Sequence, residues 1–139
     1  MSTPVTLGAT TTADDVLAGR DLRGTRVLVT GASGGIGLET ARALAAHGAA
    51  VTLAARDAAK LESAARGIAG RSGNADVDWL PLDLASFASV REAVQGYAAR
   101  HDRLNLLVNN AGVMASPLLH SADGHEMQFA VCHLGHFLL

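Results

Sequence analysis

The segment that most restricts the fold is Val27-Leu28-Val29 followed by Thr30-Gly31-Ala32-Ser33-Gly34-Gly35-Ile36-Gly37. Three consecutive apolar residues without polar alternation read as a strand buried on both faces. The glycines allow a tight turn, and helical periodicity follows: Leu38, Ala41, Leu44 and Ala45 share one face between Ile36 and His47. Gly48 stands where a helix C-terminal glycine belongs. A strand running through a glycine turn into a helix puts unpaired N–H groups and partial positive charge where a phosphate can approach. Gly37 removes a Cβ where that helix packs on the strand. A plain turn is the competing reading, since glycine supplies 15 of the 139 residues.

The same alternation continues down the chain. Ala50 to Ala55 reads as a second buried strand, and Asp57 as the cap of a helix through roughly Gly70. Val77 to Leu80 is a weaker third strand. Ser86 can cap the next helix, whose Phe87, Val90, Val94 and Tyr97 form an apolar stripe. Leu104 to Val108 is a fourth strand, and a last helix is expected from about Asp123 to the end. Strands alternating with helices predict an α/β fold, a doubly wound parallel sheet of order 3-2-1-4. The polar, Thr-rich residues 1–20 read as an arm with a short helix near Asp14 to Ala18, leaving 21–139 as the domain.

Composition narrows the function. Hydrophobic residues at 49% and a net charge of −2 exclude bulk disorder and give no electrostatic footprint for nucleic acid. Aromatics at 4% leave too few flat faces for stacking bases. The lone Cys132 cannot form an internal disulfide, and no apolar run approaches the ~20 residues that span a bilayer. The first residues lack a basic-then-apolar leader pattern, so a cytoplasmic setting without membrane partners is expected.

In a Rossmann-type domain, the end of the second strand selects the ribose partner. NAD favours a carboxylate there, to accept from the 2′-hydroxyl. This chain has Ala54-Ala55-Arg56-Asp57, and a guanidinium can fork onto the 2′-phosphate of NADP. The alternative makes Arg56 a solvated residue and Asp57 simply the helix cap. NADP is therefore expected over NAD.

Thr30 to Gly37, with its TGxxxGIG spacing, together with Asp83-Leu84 and Asn109-Asn110-Ala111-Gly112, resembles the short-chain dehydrogenase/reductase family. The stretches GIGLETARALAAHGAAVTLAARD and LPLDLASFASV and the ending HLGHF resemble most its retinol-dehydrogenase-like branch. The resemblance covers Asp21 to Leu139. It implies that Gly31, Ser33, Gly34, Gly35, Ile36 and Gly37 line the pyrophosphate and adenosine ribose. It also implies that Asp83 accepts from the adenine amino group beside Leu84, and that Asn110, Ala111 and Gly112 pack against the adenosine. Structural alternatives exist: Asp83 could cap a turn, and Asn109-Asn110 could satisfy strand-end backbone groups.

The family's chemistry, hydride transfer between nicotinamide and a carbonyl or secondary alcohol, rests on an Asn, a Ser and a Tyr-x-x-x-Lys. This sequence has one tyrosine, Tyr97, and one lysine, Lys60, in the wrong order and far apart. Without that pair proton transfer has no carrier, and no catalytic residue is expected. Cys132 stands where the family carries Asn, in Val131-Cys132-His133-Leu134-Gly135-His136-Phe137. A Cys132–His133 nucleophile pair is disfavoured because neighbouring helix positions point apart. His133 and His136 lack further ligands at metal spacing, so no metal site is expected.

The fourth strand would be an exposed apolar edge, able to pair with another chain, as could the final helix. Phe137-Leu138-Leu139 end an apolar helix without a stop signal, so the chain reads as the cofactor-binding portion of an NADP-dependent oxidoreductase. Its partner would be a small carbonyl or alcohol substrate if the catalytic part is supplied. A non-catalytic dinucleotide-binding module and a defunct fragment are the alternatives.

Overall fold

The computed structural model describes residues 7–139. A short helix α1 (Ala13–Leu17) precedes β1 (Arg26–Thr30), α2 (Gly35–Ala46), β2 (Ala50–Ala55), α3 (Ala58–Ser72), β3 (Val77–Pro81), α4 (Phe87–Arg100) and β4 (Leu106–Val108). The chain ends in one continuous helical rod: α5 (Met127–Phe129), a π-helical turn (Ala130–Leu134) and α6 (Gly135–Leu138). In the π turn the Gly135 N–H donates to the Ala130 carbonyl, five residues back.

The four strands are parallel in the order β3-β2-β1-β4, as the alternation of strands and helices predicts. Val27 pairs with Val51 on one side and Leu106 on the other. Strand periodicity then divides the core. Val27 and Val29 face a cluster with Ala41 and Ala45 of α2, Leu53, and Leu61, Ala65 and Ile68 of α3. Leu28 faces the opposite cluster, with Leu80, Leu82, Val90, Ala93, Tyr97 and Val131. A sheet apolar on both faces requires helices on both, which is why β1 and β2 read as continuous apolar runs. Leu53 is fully buried between them, and Leu53→Ala would cost about 2–5 kcal/mol.

Caps fix where the helices start. The Asp57 carboxylate accepts from the Lys60 N–H at 3.0 Å, and Ser86 Oγ accepts from the Ser89 N–H at 3.3 Å. Gly73 closes α3 in the left-handed conformation, and Gly48, at φ +95°, follows α2.

Three expectations need correction. The last helix begins at Met127 and not near Asp123, because the Asp123 carboxylate accepts from the Phe87 N–H at 2.8 Å. Glu126 is the actual cap, taking the Gln128 and Phe129 N–H groups at 2.9 and 2.8 Å. In α4 the buried stripe is Val90, Ala93 and Tyr97. Val94 is turned outward, because Phe87 packs against His125 (ring centroids 5.5 Å apart) and small Ala93 meets the core. β4 is shorter than Leu104 to Val108, because the Arg26 N–H is taken at 2.8 Å by the Asn105 side-chain oxygen and not by a strand carbonyl.

Of the arm expected over residues 1–20, residues 1–6 lie outside the described residues. Its helix α1 carries a capping box, Thr12 with Asp15, and docks on α2 through Asp14 and Arg42, 2.8 Å apart. Among the described residues no helix is long and apolar enough to cross a membrane.

Candidate functional site

Where β1 has β2 on one side and β4 on the other, the chain crosses from one face of the sheet to the other. A crevice opens there, beyond the C-terminal strand ends. It is a cleft of about 540 Å³ lined by Gly31, Ser33, Arg56, Asp83, Leu84, Asn110, Ala111 and Gly112 among others. Those eight come from four separate strand ends, brought together by the sheet. Gly34, Gly35, Ile36 and Gly37 do not line it; they form the turn and first residues of α2.

That turn divides its labour. Gly31 has φ +67°, and a Cβ there would come within 2.9 Å of the Ala111 backbone, so glycine is needed for conformation and for space. A Cβ on Gly37 would collide with the Gly31 carbonyl and the Asn110 side-chain amide. A Cβ on Gly34 or Gly35, by contrast, would meet nothing within 4 Å. Gly34 is the cap residue of α2 and provides no side-chain cap, so the first N–H groups of the helix face open space. Ile36 is 81% exposed. The arrangement is one into which a pyrophosphate fits.

Thr30, fully buried at the end of β1, ties the glycine turn to the turn after β4. Its Oγ1 accepts from the Asn110 N–H at 3.0 Å and the Ala111 N–H at 2.9 Å. The Asn110 side-chain amide donates to the Thr30 carbonyl at 2.8 Å. Asn110 thus satisfies backbone groups at the strand end, and Asn109 is exposed. His136 Nε2 lies 2.9 Å from the same Thr30 hydroxyl. Burial pushes the His136 imidazole below its ordinary value.

The wall of the cleft at the end of β2 holds Arg56, Asp57 and Lys60. Among the described residues Arg56 has no carboxylate partner, whereas Lys60 Nζ lies 3.7 Å from Asp57. The Lys60 backbone N–H bonded to Asp57, with the Lys60 charge nearby, holds the Asp57 carboxyl below its ordinary value. Asp83 does cap a turn: its Oδ1 accepts from the Ala85 N–H at 2.9 Å, and it also lines the cleft.

Sequence reasoning missed Lys60, although a lysine four residues after Arg56, at the start of a capped helix, was the available signal. Thr30, Val113, Ser116, Met127 and Val131 also line the cleft. Ser116 Oγ is buried there without a protein partner. It follows Ala115, whose φ of 54° is unusual for a residue with a side chain. No local pattern marks either.

The remaining candidates lie elsewhere. Tyr97 is buried in α4, donating to the Arg103 carbonyl at 3.2 Å and packed on His101, while Lys60 lines the cleft. Cys132 is exposed and does not line the cleft. Its Sγ sits 3.4 Å from the Val113 carbonyl and 3.5 Å from the Val113 N–H. His133 is stacked between Phe129 and Phe137, with centroids 5.3 and 6.3 Å away. His136 points instead to Thr30. Among the described residues no three His, Cys, Asp or Glu side chains converge as metal ligands would.

Comparison with known proteins matches this geometry. The profile of the family described as short chain dehydrogenase matches residues 25–137. Retinol dehydrogenase 11 of Mus musculus is 51% identical over 118 residues, 85% of this chain and 37% of its own length. The WW domain-containing oxidoreductase of Danio rerio is 47% identical over 129 residues, 93% of this chain and 31% of its own. The Pseudomonas aeruginosa RhlG/NADP active-site complex superposes with a TM-score of 0.72 at 34% identity, over 85% of this chain and 46% of that one. The chain spans between 31% and 41% of the length of the curated relatives it matches. With its glycine turn, its Asn110-Ala111-Gly112 turn and its β3-β2-β1-β4 sheet, it belongs to the short-chain dehydrogenase family and is similar there to the retinol dehydrogenases.

Proposed function

We propose that the cleft binds NADP(H), and that the chain supplies the dinucleotide half of an oxidoreductase acting on a small carbonyl or secondary alcohol. The observation that carries the NADP reading is the pairing of charges at the ribose end. Arg56 is free of any carboxylate among the described residues, and Lys60 adds a second cation on the same wall. Together they suit a 2′-phosphate, which two negative charges make costly to hold otherwise. Gly31, Ser33, Gly34, Gly35, Ile36 and Gly37 would hold the pyrophosphate and ribose. Asp83 and Leu84 would meet the adenine, with Asn110, Ala111 and Gly112 against the adenosine. The bound group would carry the hydride.

These residues bind and orient; they do not move the proton. Tyr97 is spent on the Arg103 carbonyl, and Cys132 replaces the Asn that the family uses. The acid–base pair is therefore proposed to lie outside these 139 residues. A binding module without catalysis is the second reading. A reducing, cytoplasmic setting suits the lone Cys132 thiol. The outer edge of β4, where Leu106 is 42% exposed, and the aromatic stripe Phe129-His133-Phe137 are the surfaces proposed for further chain or a second copy.

Titration of the chain with NADPH and NADH tests the cofactor reading: saturable binding with NADPH at least about tenfold tighter is expected. Equal affinities would remove the role of Arg56 and Lys60. Intact mass of the protein from its native source separates the two functional readings. A mass well above 14.2 kDa favours the oxidoreductase, and 14.2 kDa itself the binding module.

A further inference from the structure

We propose that His136 is a positioning residue for the dinucleotide cleft, acting through Thr30; the proposal rests on reading that cleft as a dinucleotide site. A threonine hydroxyl has one proton and two lone pairs. Both lone pairs of Thr30 Oγ1 are occupied, by the Asn110 N–H at 3.0 Å and the Ala111 N–H at 2.9 Å. The proton then has two acceptors to choose from: the Val108 carbonyl at 3.4 Å and His136 Nε2 at 2.9 Å. The shorter bond takes it. His136 Nε2 must therefore be unprotonated, with its proton on Nδ1, facing the Cys132 carbonyl at 3.5 Å.

In this arrangement a neutral His136 fixes the rotation of the Thr30 hydroxyl and aims its two lone pairs at the turn that lines the cleft. A proton on Nε2 would reverse this, setting three donors against two lone pairs and loosening one of the two amides. Thr30 is fully buried and His136 is 9% exposed, so water is poorly placed to substitute. The π turn and Gly135 bring His136 to this point. Gly135 packs so closely on the Leu84 backbone that a Cβ would clash with it.

The first test is the ¹⁵N spectrum of the His136 imidazole in the chain without dinucleotide. An unprotonated Nε2 and a protonated Nδ1 are expected; a protonated Nε2 overturns the proposal. The second compares two variants. His136→Leu removes the acceptor, and should speed amide exchange at Asn110 and Ala111 several-fold and weaken NADPH binding roughly three- to ten-fold. His136→Gln keeps an acceptor oxygen and should restore most of both. If both variants match the native chain, the positioning role fails. If the tautomer and exchange results hold but the native chain does not bind NADPH, the dinucleotide reading fails and the positioning of the turn stands. Should His136→Leu not fold, the tautomer and the Gln variant decide.

Discussion

The two ends of the sheet each bury a histidine against the first strand, and they use it differently. At the N-terminal end, His101 Nδ1 accepts from Arg26 at 2.9 Å, while Arg100 pairs with Asp78. Arg100 and Asp78 are matched there inside the chain, although Arg26 Nε and His101 Nε2 are buried without a hydrogen-bond partner, and the small hollow beside them, about 160 Å³, is walled by Arg26, Asp78 and His101. At the C-terminal end, His136 aligns Thr30. Beyond it, among the described residues, lie the Arg56 guanidinium without a carboxylate partner, Ser116 Oγ without a hydrogen-bond partner and the first turn of α2 without a side-chain cap. One end is a polar network in which Arg26, His101, Asp78 and Arg100 join β1, β3 and α4. The other leaves its donors open to whatever enters the cleft. In a parallel sheet both ends are built from the same strands, so what separates them is the larger cleft and the glycine turn at the C-terminal strand ends.

The sharpest way to break this contrast is Gly37→Val. Its side chain would strike the Gly31 carbonyl and Asn110, costing at least about 1–3 kcal/mol of stability. Dinucleotide binding should disappear; a variant that melts and binds like the native chain would remove the glycine turn from the site. Next, Arg56→Asp should lower the NADPH-to-NADH affinity ratio roughly ten- to hundred-fold, with an unchanged melting temperature, since Arg56 has no ion pair among the described residues. An unchanged ratio would leave the open cation without a role.

Acid should affect both ends together. Burial lowers the His101 pKa from its ordinary 6.5, and the Arg26 and Arg100 charges lower it further. Burial likewise lowers that of His136. With folded values below unfolded ones, the unfolded chain binds more protons. Stability contributed by the neutral imidazoles is full above pH 6.5 and falls as the pH drops below it toward the folded values. Thermal melts between pH 7.5 and ~5 check this; His101→Gln and His136→Gln should each flatten part of the decline. A curve unaffected by both substitutions would contradict it.

The smallest effect is expected from Arg100→Ala. Arg100 and Asp78 are each 40% exposed, so the loss should be at most about 1 kcal/mol. NADPH affinity should not change. A measurable change would show that the two ends are coupled after all.

How much of this was readable from residues alone depended on how local the cause was. β2 carries its bounds in the sequence because Ala50 to Ala55 is an apolar run between Gly48 and the Asp57 cap. Ser86 likewise announces α4. Asp123 looked like the start of the last helix, but its carboxylate is committed to Phe87, 36 residues away, and Glu126 caps the helix instead. The cleft followed the same rule. Arg56, Asp83 and the two glycine-containing turns lie in contiguous motifs. Lys60 needs a helix to carry it to the ribose end, and Ser116 an unusual turn at Ala115. The bond between Thr30 and His136 spans 106 residues, and no spacing rule reaches that far.

The π turn at Ala130–Leu134 has a consequence for how this segment can vary. Val131 lines the cleft, Gly135 abuts Leu84 and His136 meets Thr30, three contacts distributed along one rod. One residue is about 100° of phase on a helix. Removing a single residue between Ala130 and Leu134 would let the rod relax to an ordinary α-helix. Because a single π turn takes in one extra residue for nearly the same rotation, Gly135 and His136 would keep the face they present beside Val131. Substitutions at the exposed Cys132 and His133 leave the phase intact. The segment is thus tolerant of replacement at its outward positions and of losing the one residue that the wide turn absorbs.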